Sequence, residues 1–177
     1  MRLLTVGHGT LAAEAFAALL SGAGVETLVD IRRFPASRRH PHFARELMGD
    51  WLAPSGVDYR WEPVLGGRRP TSAASPNQGL RDAGFRGYAD YMATGDFAAG
   101  LERLLGDARA ATTAAMCAES LWWRCHRRLV ADAAVLLGGA EVLHLLHDGR
   151  LQPHQLTEGV VADGGRLLYR PIWSAPG

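Results

Sequence analysis

The sequence predicts an α/β fold: a three-layer, mostly parallel sheet of about five strands with flanking helices and a C-terminal β-hairpin. Three observations carry that expectation. Short apolar runs alternate with helical patterns along the chain, an order that builds parallel sheets through right-handed crossovers. Hydrophobic residues make up 47% and charged residues 21% of the 177, an ordinary globular composition with enough apolar material for a core. The length suits one domain better than two, so residues 1–177 are expected to form a single α/β unit.

Arg2 to Val6 reads as the first strand and runs into Gly7-His8-Gly9. Thr10 offers an N-cap to a helix from Leu11 to Leu20, with Phe16, Leu19 and Leu20 on one face and Gly22 and Gly24 as its stop. Val25 to Ile31 reads as a buried strand ending at Asp30-Ile31-Arg32-Arg33. A polar stretch from Pro35 to His42, with Arg38, Arg39 and His40, leads to a helix from Phe43 to Trp51. Val57 to Val64 is the third strand and ends at Leu65-Gly66-Gly67-Arg68. Pro70 to Gly84 is a long irregular segment, the length at which a lid or binding loop is expected.

Phe85 to Met92 is helical, and Asp96 can cap the next helix through Phe97, Leu101 and Leu105. Thr112 to Cys117 is the fourth strand. A helix follows from Leu121 to Leu137, with Leu129, Ala133, Leu136 and Leu137 inward, and Glu141 to Leu146 is the fifth strand. Val160 to Tyr169 folds back on Asp163-Gly164-Gly165 as a hairpin.

Charge and cysteine usage narrow the chemistry. The 19 basic residues nearly balance 18 acidic ones, so there is no overall basic field for non-specific nucleic-acid binding. All of the basic residues are arginine, which excludes lysine Schiff-base chemistry and the lysine of a P-loop. Two cysteines, Cys117 and Cys125, make no disulfide framework and suit a reducing cytoplasm. The N-terminal residues do not read as a signal peptide, and no stretch reaches the roughly 18 to 20 apolar residues of a membrane span.

In a parallel sheet, ligands bind outside the carboxyl ends of the strands. Those ends here carry Gly7-His8, Asp30 with Arg32, Gly67-Arg68, Cys117 with Glu119, and His144 with His147. The stretch Cys117-Ala118-Glu119-Ser120-Leu121-Trp122-Trp123-Arg124-Cys125-His126-Arg127 crosses from strand to helix start, where a cysteine near Arg and His acquires thiolate character. Two small buried hydrophobes would also account for the cysteines.

Cys117-Ala118-Glu119 is similar to the start of a cytidine-deaminase zinc motif, but no Pro-Cys-x-x-Cys follows. Cys117 and Arg124 resemble the ends of a cysteine-phosphatase loop with one residue too many between them. Cys117, Cys125 and His126, with His8 or His144, could assemble a zinc site, yet the spacing matches no structural zinc pattern. No metal ligand set and no cofactor is therefore assigned. The arginines from Arg32 to Arg39 suit a bidentate clamp for phosphate or carboxylate, or simply a solvated loop. Tyr88 and its aromatic neighbours suit either a stacking platform or core packing.

Thr5-Val6-Gly7-His8, Val29-Asp30-Ile31-Arg32-Arg33-Phe34-Pro35, Leu65-Gly66-Gly67-Arg68, Phe85 to Met92, Met116 to Glu119 with Cys125-His126-Arg127, and Pro153-His154-Gln155-Leu156 together resemble domain-of-unknown-function family 488. The resemblance implies a compact α/β domain of prokaryotic type. It carries motif positions over to His8, Asp30, Arg32, Arg68, Tyr88, Cys117, Glu119, Cys125, His126 and Arg127. Leu121-Trp122-Trp123 is bulkier than that pattern, which implies a narrowed pocket.

The expectation is an enzyme acting on an anionic substrate: a nucleotide, a nucleic-acid component or another phosphorylated molecule. Cys117 or Cys125 would be the nucleophile or a redox thiol. Glu119 and Asp30 would move protons, with His8 and His126 as alternatives. Arg32, Arg68, Arg127 and Tyr88 would bind substrate. A non-catalytic ligand or nucleic-acid binding module and a Cys/His metal enzyme or sensor are the two competing expectations. No membrane partner is expected, and nothing indicates an oligomeric state.

Overall fold

The computed structural model describes residues 1–36 and 39–172, so Arg38 of the polar stretch lies outside them. The fold is α/β. Strands β1 (Arg2–Gly7), β2 (Thr27–Asp30), β3 (Asp58–Trp61), β4 (Thr113–Cys117) and β5 (Glu141–Leu145) are mutually parallel in the order β3-β2-β4-β1-β5. A short antiparallel strand, β6 (Leu151–Pro153), closes the β5 edge, and β7 (Val160–Asp163) with β8 (Arg166–Tyr169) forms the separate hairpin. Gly164 and Gly165 make its turn with φ of 56° and 80°, the positive values that a two-residue hairpin loop demands.

Strand pleating sorts the side chains between the two faces. Leu4, Val6, Leu28, Ala114 and Met116 pack toward α1 (Ala13–Gly22) and α2 (Arg45–Leu52). Leu3, Val29, Ala115 and Cys117 pack toward α3 (Ala83–Met92), α4 (Gly95–Ala110) and α5 (Arg127–Leu136). The parity of each strand thus decides which side of the carboxyl rim its last residues serve. No helix among the described residues is long and apolar enough to cross a membrane.

Several boundaries differ from the sequence-based expectation. The helix expected from Leu121 begins only at Arg127, because Trp122–Arg124 forms a 3-10 turn that lays Trp122 flat on His144, with ring centroids 4.1 Å apart. Leu136 is half-buried and Leu137 exposed rather than inward. Ala12, not Thr10, stands at the α1 N-cap position. Thr94, not Asp96, caps α4 by accepting from the Phe97 N–H. The third strand stops at Trp61, where Pro63–Leu65 turns as a 3-10 segment.

The long loop is pinned at its middle. Ser75 and Asn77 donate to Asp90 at 2.6 and 2.8 Å, while Tyr169 donates its N–H to Asn77 and accepts from the Gly79 N–H. Only its C-terminal end, at Asp82 and Gly84, lines the cleft at the carboxyl rim.

Candidate active site

A cleft of about 530 Å³ opens at the carboxyl ends of β2 and β4. Cys117, Glu119, Cys125 and His126 line one side; Arg32, Arg68 and Tyr88 line the others. Three expected site residues lie elsewhere. His8 and Asp30 follow the α1/α2 parity of their strands and sit behind the rim, and Arg127 is 1% exposed beneath the loop that joins β4 to α5.

Close backbone contacts shape that loop. His8 N–H donates to Cys117 O and Gly9 N–H to Ala118 O, extending the β1–β4 pairing past the strands. A Cβ on Gly7 would stand 1.9 Å from Glu119 O, so only glycine lets the loop approach β1. Arg127 Nη2 donates to Glu119 O and Ser120 O at 2.8 and 3.2 Å, fastening the loop from below.

The loop brings the two thiols together. Cys117 Sγ and Cys125 Sγ are 2.8 Å apart. Cys125 lies just before α5, and its sulfur accepts the Arg127 N–H at 3.4 Å. Burial alone would raise its pKa, but the Cys117 hydrogen bond, the Arg127 charge and that N–H outweigh burial and lower it. Cys117 goes the other way: burial, then the hydrogen bond and charge of Cys125, push it well up. Helix-start activation expected near Cys117 thus falls on Cys125, because the loop is longer and the helix shorter than the sequence suggested.

His126 completes the pair. Its Nε2–H donates to Ile31 O at 3.2 Å, which leaves Nδ1 bare and 3.5 Å from Cys125 Sγ. Burial lowers its pKa, keeping the ring neutral. Tyr88 packs edge-on against that ring at 5.2 Å and donates its hydroxyl to Leu65 O, so its oxygen is engaged with the protein.

The arginines differ in availability. Arg32 spends Nε and Nη2 on Asp30, Nη2 also on Phe43 O, and Nη1 on His8 Nε2. Four of its five N–H donors are thereby taken. His8 accepts that bond and donates Nδ1–H to Gly9 O. Burial, then the Arg32 charge, lowers its pKa to about 4. Asp30 also accepts from Tyr59 and is fully buried. By contrast, the guanidinium groups of Arg68 and Arg124 have no partner among the described residues. Arg68 is the one described non-glycine residue with positive φ, 60°, a strained conformation of the kind that gathers at functional sites.

Five further residues line the cleft: Arg33, Arg124 and Phe85, which the sequence offers only as parts of a clamp, a phosphatase-like loop and an aromatic platform, and Phe34 and Asp82, which sequence reasoning missed. Asp82 was legible: an acid three residues before Phe85 is an N-cap pattern, and its carboxylate accepts the Phe85 N–H at 3.0 Å. Among the described residues, no group of three or more His, Cys, Asp or Glu is arranged to hold a metal.

Fold and rim together describe an α/β protein with a thiol pair in an arginine-edged cleft. Residues 12–134 match the model of the family described as domain of unknown function DUF488, and the chain belongs to that family. His8 and the Pro153-His154 stretch fall outside the matched span. No curated protein and no solved structure matches the chain.

Proposed function

We propose that this protein is an enzyme acting on an anionic, phosphate-bearing substrate, a nucleotide or nucleic-acid component, with Cys125 as its nucleophile. The thiol pair carries this reading: a sulfur with lowered pKa, 2.8 Å from a second sulfur, in a cleft edged by Arg68 and Arg124, whose guanidinium groups have no partner among the described residues. Cys117 donates its S–H to Cys125 and holds negative charge there. His126 Nδ1 takes the Cys125 proton, and Glu119 at the cleft mouth exchanges protons with substrate. Asp30, Arg32 and His8 act as positioning residues, since their polar atoms are committed to one another. Both cysteines must stay reduced for this chemistry, which fits a reducing cytoplasm.

Labelling of Cys125 by iodoacetamide, followed by mass spectrometry, tests the reading. A nucleoside monophosphate should slow labelling in a saturable way. Arg68→Gly should raise the half-protecting concentration about tenfold, the size of one charge-assisted hydrogen bond, while leaving thermal stability equal or higher because glycine accepts φ of 60° without strain. Labelling indifferent to phosphate compounds would refute the cleft as an anion site. Ligand affinity intact in Cys125→Ser, with no thiol-dependent turnover of any phosphorylated compound, would favour a non-catalytic binding module instead.

A further inference from the structure

The cleft has a neighbour that shares two of its walls. Asp82 and Phe85 also wall a second groove of about 890 Å³, lined further by Trp122, Trp123 and Arg128. We infer that the two form one track for a single strand of nucleic acid, with one nucleotide at the thiols and its neighbour stacked in the adjoining groove. This rests on the anion-site reading of the cleft and extends it from a mononucleotide to a strand.

Aromatic rings and guanidinium groups line both parts of the track. Phe34, 63% exposed, lies at the cleft end with the Arg33 guanidinium 5.3 Å from its ring centroid. Arg128 sits 4.9 Å from the Phe85 ring at the junction. Trp123, 45% exposed, stands edge-to-face on Trp122 at 5.7 Å, and Trp122 is itself stacked on buried His144. An exposed indole on so rigid a support offers a flat, pre-ordered platform, and base–aromatic stacking needs little more.

The charges match a phosphodiester backbone. Arg68, Arg124 and Arg81 line the track with guanidinium groups that have no partner among the described residues. Three acids stand beside them: Asp82 accepts the Phe85 N–H, Glu119 accepts the Leu121 N–H, and Glu158 lines the second groove. Isolated rings set apart along a groove take bases that are splayed from one another; a duplex hides its base faces within its own stack.

Fluorescence anisotropy with end-labelled strands of about ten nucleotides, DNA and RNA in parallel, tests the inference, with a nucleoside monophosphate and the matching duplex as competitors. The strand should bind at least about tenfold more tightly than the monophosphate and weaken steeply with salt. Trp123→Ala should weaken the strand about tenfold while the monophosphate protects Cys125 as before. The tighter of the DNA and RNA strands would name the sugar. A strand no tighter than the monophosphate, a duplex that competes equally, or indifference to Trp123→Ala would overturn the track. Protection of Cys125 by the monophosphate would then leave the cleft reading standing; loss of that protection as well would remove both.

Discussion

Helix α5 separates two polar clusters that each hold histidine and a carboxylate but have opposite character. At its N-terminal end, Cys125 and His126 face the cleft beside arginines with free donors. Midway along it, Asp132 ends a buried chain. Thr5 donates to His144 at 2.6 Å, His144 to His154 at 2.9 Å, and His154 to Asp132 at 2.9 Å, while Tyr169 and the Thr157 N–H also donate to that carboxylate. One tautomer assignment satisfies every donor in that chain. Burial, then His154, lowers the His144 pKa to about 3. Histidines and an acid close together therefore do not identify a site. What distinguishes the cleft is unfinished hydrogen bonding at its rim, whereas the Asp132 chain is complete and closed.

Removing the end of the closed chain should have the largest effect. Asp132→Ala leaves three buried donors unpaired and should cost roughly 3 to 5 kcal/mol, a fall of roughly 10 °C in Tm for a chain of this size. Below its transition the variant should label at Cys125 at the wild-type rate. A slowed rate would show that the two clusters are coupled and break the comparison.

Acid should weaken the protein more gradually. His8, His126 and His144 all have pKa values lowered from 6.5 in the folded state, so the unfolded chain binds more protons below that value. Their contribution is fully present above about pH 6.5 and is lost as pH falls through the window toward about 4 for His8 and about 3 for His144. Each can contribute up to about 1.4 kcal/mol per pH unit. Urea midpoints should decline from neutral pH to pH 5; a flat profile would contradict buried neutral rings.

Much of the fold was readable because it rests on local pattern: five apolar strands between helices, and a hairpin turned by Gly164-Gly165. The β6 edge strand was missed, since its three residues Leu151–Pro153 carry no alternation and are fixed by pairing with β5. The site was readable as a rim but not as two faces. Asp30 pairs in register with Met116, and both turn toward α2, whereas Cys117 turns toward α5. A strand buried on both sides hides that parity, so His8 and Asp30 looked like partners of the thiols. The Cys117–Cys125 contact was equally hidden, because a 3-10 turn held by Trp122 on His144 creates it.

Inequality between the two sulfurs is the most direct test. Alkylation rates of Cys117 and Cys125, resolved by mass spectrometry across pH, should give Cys125 a midpoint below the roughly 8.5 of a free thiol and Cys117 one above it, with Cys117→Ala moving the Cys125 midpoint upward. Equal midpoints at or above the free-thiol value, or a Cys125 profile unmoved by Cys117→Ala, would contradict an activated thiol in this cleft.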